Sequence, residues 1–562
     1  MKIKLPVFLV VFLLFAFKLS AQTPWFTYSG QLGITGDFYN MNATGGEVRP
    51  RRPDQMFRFM GSGSVGIKGI NIPFSVMLSN NQRNINTPIP TDQNLIDFIV
   101  NPVNSVGFAP TFKFGKVTLG TYVPKFTSYT SGDIRVFGAG LDALFSKKWR
   151  VAFHAGNGQI PVPQNLPLGI QGAYTRRVYT GKVGYGEDNG THLHIAMMKV
   201  TDIVRSVPEV LGSTPPSDNV VLSLSGRWKI NDQYSVEGEA ARSGFTENTL
   251  SNQFEGSGGG LIRSMLPLNV SSRLGTAAKM AINQQGKIFS SRIYADYMTE
   301  GFRTLGYPFL QPDQINYRFE PKLNLMGGKV SLSGAIGQRI NNVSGLKAAR
   351  TTQLTGMLNA SWQATDKLSL AGSYSNFGFR STARNDTLRV ENVNQSINFT
   401  PTYTIPTTNY THVITGSASF DIFNDYNLIT GRENNNNSAT YLGSYILTFN
   451  NKPLNLDFTA MQFTNKLATQ MIRMRSVTAG ATYSFMEKKM SSGVKLTWME
   501  NSVVNLDPSR QLMTQLTYKY NILKKLTFGM NGSINLFRFG TEKPGVRFQE
   551  TLLSTSLNYT IK

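Results

Sequence analysis

The side chains best suited to metal binding or acid–base catalysis are scarce in this chain, which has four histidines and no cysteine. His192 and His194 would share one face of a strand, which brings two potential metal ligands together. His154 is predicted on a strand two positions away and near the opposite end, so no third ligand converges. We expect polar interface histidines, no metal or cofactor site, and no catalytic group of the Ser–His or Asp–His kind.

A second set of residues indicates electrostatic function. Arg273, Arg292, Arg318 and Arg339 fall on the polar side of four consecutive predicted strands, all near mid-height when counted from the nearest short turn. The same wall carries three acidic residues and a lysine: Glu237, Glu239, Glu320 and Lys322. If these residues line a pore, the basic stripe would attract anionic solutes or dock an acidic plug. The alternative is a network of ion pairs that stiffens the wall.

The elements that carry these residues alternate with a period of two, which is the spacing of a strand with one apolar and one polar face. Ile315, Tyr317 and Phe319 share one predicted face and Asn316, Arg318 and Glu320 the other. Similar segments recur along the chain up to Ile561. No blade-length repeat of the kind found in a β-propeller is visible.

Connections of two sizes separate the segments. The short ones are predicted at residues 146–148, 231–232, 284–287, 327–329, 365–367, 450–453 and 521–525. The long ones are predicted at residues 41–55, 79–104, 204–217, 244–266, 301–313 and 424–438. Aromatic residues gather near both kinds of connection: Trp25, Trp149, Trp228, Trp362, Phe485 and Tyr520 near short ones, and Phe38, Tyr297, Tyr374 and Trp498 near long ones.

Composition limits the cellular location of such a chain, the way it can enter a membrane and its possible partners. Residues 1–21 have the features of an export signal, with Lys2 and Lys4 before an apolar stretch, and residues 22–562 form the expected mature chain. The absence of cysteine excludes disulfides and a lipoprotein anchor. Beyond the signal no apolar run approaches the roughly 18 residues of a membrane helix, so the chain would enter a membrane as strands. The net charge of +23 favours anionic partners, and no nucleic-acid-binding motif accompanies it.

The export signal, alternating strands and unequal connections resemble the Gram-negative outer-membrane β-barrel superfamily, with a porin-like architecture. This resemblance covers the whole mature chain, but it matches no specific family. We predict an all-β fold: one large antiparallel transmembrane barrel of about 26 strands, with 24 or 22 as alternatives, short periplasmic turns and long extracellular loops. An even number of strands places both termini in the periplasm, and no plug domain precedes the first predicted strand.

Two functions remain open at this stage. The first is a channel or transporter for small solutes, with the basic stripe favouring anionic ones and with residues 79–104 and 244–266 narrowing the lumen. The second is a large scaffold or translocation barrel, because a lumen of about 26 strands would leak unless it were filled. The expected partners are outer-membrane lipid, lipopolysaccharide, the barrel assembly machinery and, for the second function, a lipoprotein or periplasmic plug protein.

Overall fold

The computed structural model describes residues 25–80, 103–146, 148–164, 167, 171–187, 190–207, 214–253, 260–383, 389–427 and 429–561. The predicted export signal lies outside these residues.

The described chain is built almost entirely from antiparallel strands. They are β1 (Phe26–Thr44), β2 (Gln55–Ile67), β3 (Ile70–Ser79), β4 (Ser105–Phe108), β5 (Thr111–Phe112), β6 (Gly115–Tyr122), β7 (Val136–Phe145), β8 (Trp149–Gln159), β9 (Thr175–Gly186), β10 (His192–Ile203), β11 (Asp218–Lys229), β12 (Tyr234–Thr246), β13 (Ser272–Gln284), β14 (Phe289–Met298), β15 (Gln314–Leu325), β16 (Val330–Asn341), β17 (Ala349–Gln363), β18 (Leu368–Ala383), β19 (Glu391–Pro406), β20 (Tyr410–Asp425), β21 (Asn436–Phe449), β22 (Leu454–Leu467), β23 (Met471–Phe485), β24 (Met490–Val503), β25 (Ser509–Leu523), β26 (Leu526–Arg538) and β27 (Arg547–Ile561).

The sheet closes on itself because β1 pairs with both β2 and β27. Strands β4 and β5 occupy one place between β3 and β6, so the wall is a closed barrel of 26 strands. The predicted fold and strand count are confirmed. Closure leaves no unpaired edge, which is the condition for strands to lie in lipid.

The wall is interrupted where β4 gives way to β5. Gly120 of β6 pairs with Gly107 of β4, close to this break, and has a φ of 88°, a conformation that L side chains rarely adopt. A Cβ atom there would lie 2.0 Å from the carbonyl oxygen of Val106. Glycine thus permits a close backbone approach at the irregular part of the wall.

The two faces of each strand differ as the alternation predicts. Tyr317 and Phe319 are exposed on the outer surface, whereas Asn316 and Arg318 point to the lumen. Trp149, Trp228 and Trp362 are exposed on the outer surface near the short turns, and Tyr297 and Trp498 near the opposite end. These are the two aromatic girdles that flank the apolar band of a membrane barrel.

The connections follow the predicted alternation of short and long. Four of the short ones lie at 146–148, 230–233, 326–329 and 450–453, close to the predicted positions, and the connection at 204–217 has the predicted bounds. The connection between β12 and β13 differs, since it runs from 247 to 271 and contains a short helix, α1 (Leu261–Met265). A second short helix, α2 (Gly431–Asn434), lies between β20 and β21. In the described part of the chain no helix has the length and apolar character needed to cross a membrane.

Candidate functional site

Two connections fold into the lumen and pack against each other. We call residues 123–135, between β6 and β7, the first lumen loop, and residues 299–313, between β14 and β15, the second lumen loop. The ring of Tyr129 meets that of Phe302 edge-on, with centroids 5.6 Å apart. Both rings are buried against inward-facing side chains of the wall, namely Val136, Val178, Met198, Val200, Val221, Ala241, Ala277 and Met298.

Glu239, on β12, holds the first lumen loop against the wall. Its carboxylate accepts hydrogen bonds from the backbone N–H groups of Ser128 (3.1 Å) and Tyr129 (3.2 Å). It also accepts one from the Ser223 hydroxyl at 2.9 Å and pairs with Lys279 Nζ at 3.4 Å. The carboxylate is almost fully buried, and a buried charge with these partners is costly to disturb.

Asn219, on β11, holds the second lumen loop in the same way. Its amide nitrogen donates to the Arg303 carbonyl at 3.2 Å, and its amide oxygen accepts from the Leu305 N–H at 2.9 Å. Asn219 is fully buried, so a single side chain satisfies backbone groups that would otherwise be buried without partners.

The two lumen loops also bond directly to each other. The Thr304 hydroxyl donates to the Thr130 carbonyl at 3.2 Å, and the Asp133 N–H donates to the Gly306 carbonyl at 3.1 Å. The Tyr307 hydroxyl donates to the Thr127 carbonyl at 3.2 Å. Burial raises the pKa of Tyr307, so its hydroxyl stays protonated and remains a donor.

Close backbone approach makes this contact possible. A Cβ atom at Gly306 would lie 1.8 Å from the Thr130 carbonyl oxygen, and one at Gly132 would lie 1.9 Å from the Tyr307 hydroxyl. The lumen loops therefore form one packed unit over the inner face of β7 to β14.

The basic residues named by the sequence lie on inward-facing positions of neighbouring strands. Arg292 pairs across the strands with Glu320, Arg318 with Tyr294, and Arg339 with Asn316. From one strand to the next, Arg292, Arg318 and Arg339 thus lie one row of paired residues closer to the long loops. Lys322 lies below them on β15.

Arg273 departs from the prediction. It is the second residue of β13 and lies opposite Phe245. This position is much closer to the long loops than the row of paired residues that contains Lys279 and Arg339. The reason is that the preceding connection runs to residue 271, so β13 begins later than the predicted loop end at residue 266 implies.

The acidic residues have different environments. Glu237 lies 3.6 Å from Arg227 and 3.7 Å from Arg292, and Glu320 lies 2.9 Å from Arg318. Glu239 does not line an open lumen, because the first lumen loop covers it. In the part of the chain that the structure describes, no carboxylate lies within ion-pair distance of Lys322 or Arg339.

Of the two loops predicted to narrow the lumen, the structure describes only the second in large part, and that loop does not narrow the lumen. Residues 81–102 of the first predicted loop lie outside the described chain. In the second, Ile262 and Leu266 are buried against Val220 and Leu274, which point away from the lumen. This loop instead covers the outer face of the rim, because its apolar side chains find an apolar surface there.

Among the described residues, no loop packs over the inner face of the opposite wall. Within strands β17 to β26 themselves, only Ser381 and Gly493 among the described residues are buried. Polar side chains such as Thr478 and Thr497, whose hydroxyls lie 3.0 Å apart, face the lumen. The lumen thus has a covered side and an accessible side, with Arg318 and Arg339 between them.

Three of the four histidines lie on the covered side, and the fourth, His412, lies on β20. The rings of His192 and His194 stack with centroids 4.5 Å apart, and His154 Nε2 lies 3.2 Å from an Asp142 oxygen. Within the ranges that the structure describes, no three His, Asp or Glu side chains gather as a metal site.

The closed wall, its exposed apolar outer surface and the two aromatic girdles define a transmembrane β-barrel. No protein-family model matches the chain, and no curated protein sequence does.

Solved structures of similar fold include three outer-membrane proteins. The P pilus usher PapC translocation pore shares 11% identity over 95% of this chain and 100% of its own, with a TM-score of 0.42. BauA, the ferric preacinetobactin receptor from Acinetobacter baumannii, shares 10% over 95% and 81%, with 0.38. OpdK from Pseudomonas aeruginosa, solved with vanillate, shares 11% over 62% and 93%, with 0.30. At this identity the likeness concerns the fold.

Proposed function

We propose that the protein is a non-enzymatic outer-membrane channel that passes small anionic solutes along the accessible side of its lumen. The observation that carries this proposal is the division of the lumen. The two lumen loops cover one side. The inner face of β17 to β26, which carries polar side chains as well as apolar ones, stays accessible beside a basic margin formed by Arg292, Arg318, Lys322 and Arg339. A loop-narrowed polar lumen is the usual construction of a diffusion channel.

The margin favours anions because its charges do not cancel. Glu320 offsets Arg318 and Glu237 offsets Arg292. Arg339 has no ion-pair partner among the described residues, although it interacts at longer range with Asp296, and Lys322 has no ion-pair partner there either. Charged side chains that line a pore bias which ions enter it. The predicted wall-stiffening network accounts for the paired residues only.

Ion selectivity tests the proposal. The purified protein in a planar bilayer under a potassium chloride gradient should give a reversal potential of the sign expected for chloride permeation. Replacing both free cations (Arg339→Gln with Lys322→Gln) should move the reversal potential toward zero. Lys452→Gln, in the turn at 450–453, serves as the matched control and should leave it unchanged. A cation-selective wild type, or a double variant with unaltered selectivity, would contradict the proposal.

One observation favours the second candidate, a scaffold or translocation barrel that holds a partner. Half-buried apolar side chains point into the lumen from five adjacent strands, β21 to β25: Leu442, Met461, Phe463, Met474, Met499 and Met513. A partner's apolar segment could rest on this inner apolar patch. The two candidates differ in one property, since the channel conducts as a lone barrel and the scaffold does so only after its companion is removed.

The proposed partners follow from the location and these candidates. They are outer-membrane lipid and lipopolysaccharide, the barrel assembly machinery and, for the scaffold, a lipoprotein or periplasmic plug.

A further inference from the structure

A row of arginines crosses the outer surface of the barrel, away from the lumen. Arg475 on β23 pairs across the strands with Glu500, Glu500 with Arg510, Arg510 with Arg538, and Arg538 with Arg547 on β27. Directly opposed residues of antiparallel strands point to the same side, so all five share one face. We call Arg475, Arg510, Arg538 and Arg547 the arginine row.

The neighbouring residues show that this face is the lipid-facing one. The next row toward the short turns consists of Val477, Trp498, Leu512 and Leu536, again in direct register. All four are exposed, and Trp498 belongs to the outer aromatic girdle. The arginine row therefore lies one row of paired residues beyond the apolar band, toward the end of the barrel opposite the short turns.

The row carries more positive charge than its own surroundings offset. Arg510 Nε lies 2.9 Å from a Glu500 oxygen. For Arg538 and Arg547, the described chain supplies no ion-pair partner. Like charges placed directly opposite each other on a sheet are destabilising, so Arg510, Arg538 and Arg547 repel one another unless an anion lies among them.

A groove joins the arginine row to the apolar band. It has a volume of about 540 Å³ and is lined by Trp498, Leu512 and Leu536 below and by Arg510, Arg538 and Arg547 above. An apolar floor under a basic edge matches a molecule with hydrocarbon chains and an anionic head. Guanidinium groups bind phosphate in bidentate fashion, which a row of arginines favours over scattered lysines.

We propose that this groove binds a phosphorylated glycolipid of the outer leaflet, of the lipid A kind. Its phosphates lie among Arg510, Arg538 and Arg547, and an acyl chain lies along Leu512 and Leu536. The outer leaflet is selected because the site lies at the end opposite the short turns, which face the periplasm. The site is separate from the lumen, so its existence does not depend on the proposed channel function.

Native mass spectrometry of the full chain in detergent with diphosphoryl lipid A tests the site. Each arginine near a charged lipid surface contributes roughly 1 kcal/mol, a factor of roughly five, so R510Q/R538Q/R547Q should weaken lipid A binding roughly 100-fold. Arg380→Gln is the matched control, because Arg380 faces outward near the same end but lies 3.7 Å from Glu391. It should bind lipid A as the wild type does.

Two further arms identify the ligand. Dephosphorylated lipid A should bind the wild type no better than diphosphoryl lipid A binds the triple variant, and millimolar inorganic phosphate should not displace the lipid. Equal binding by wild type and triple variant would overturn the proposal, and so would equal binding of both lipids or displacement by free phosphate. An unchanged gel mobility of the unboiled variants verifies that their barrels are folded.

Discussion

Glu239 is the residue that joins the wall to the first lumen loop. The partners of its carboxylate come from the loop and from strands β11 and β13. The sequence shows Glu239 only as one more acid on a polar face. Its role depends on Ser128 and Tyr129, which lie more than 100 positions earlier, and no local pattern indicates so distant a contact.

Neutralising this carboxylate should loosen the loop. Glu239→Gln keeps the shape but removes the charge that the two N–H donors and Lys279 share, which costs about 2 kcal/mol of loop closure. The chain has no cysteine, so a single Ser131→Cys reports on the loop, where Ser131 is fully buried. Labelling of that thiol should accelerate roughly 30-fold in Glu239→Gln.

The control for this experiment is Glu320→Gln, also made on the Ser131→Cys background. Glu320 is a half-exposed partner of Arg318 and does not contact either lumen loop in the described chain. The role assigned to Glu239 is wrong if both variants label at the wild-type rate or if both accelerate equally.

At the scale of elements, the sequence predicts the strands but not the conformations of the loops. The alternation of apolar and polar residues, as from Ile315 to Glu320, reflects which face of a strand contacts lipid. The sequence therefore predicts the strands. The first lumen loop shows no such pattern, because its conformation depends on contacts with Glu239 and Phe302, far along the chain. For the same reason the fold of residues 260–271 onto the outer face was missed, since Ile262 and Leu266 are apolar in either arrangement.

Strand packing leaves no room for a side chain at Gly120, close to the break between β4 and β5. Gly120→Val places a branched side chain at a positive φ and against the Val106 carbonyl, so we expect a loss of about 3 to 5 kcal/mol in the free energy of unfolding. Urea unfolding of the bilayer-inserted protein, followed by tryptophan fluorescence, measures it.

Gly443→Val on β21 is the matched control, because a Cβ atom there meets nothing within 4 Å. We expect its unfolding free energy to change by less than about 1 kcal/mol. If the two variants were equally stable, the close approach at Gly120 would not matter to the barrel.

At the scale of the whole molecule, a barrel of 26 strands raises the question of what limits passage through so wide a lumen. The described structure supplies part of the answer from the chain itself. Two loops that share an apolar contact and two buried wall anchors, Glu239 and Asn219, cover one side of the lumen. The accessible side carries polar side chains and the inner apolar patch, with the basic margin at its border. Strand number and polarity follow from the sequence, whereas this division of the lumen emerges only from long-range contacts.

The most direct test of this account is the single-channel conductance of the purified protein, free of companions, in a planar bilayer. The wild type should conduct as a lone barrel. Replacing residues 300–312 of the second lumen loop with a short Gly-Ser linker should enlarge the conductance step, since the loop covers part of the lumen. A wild type that stays silent until a stoichiometric companion is stripped away, or a conductance step that the replacement leaves unchanged, would contradict the account.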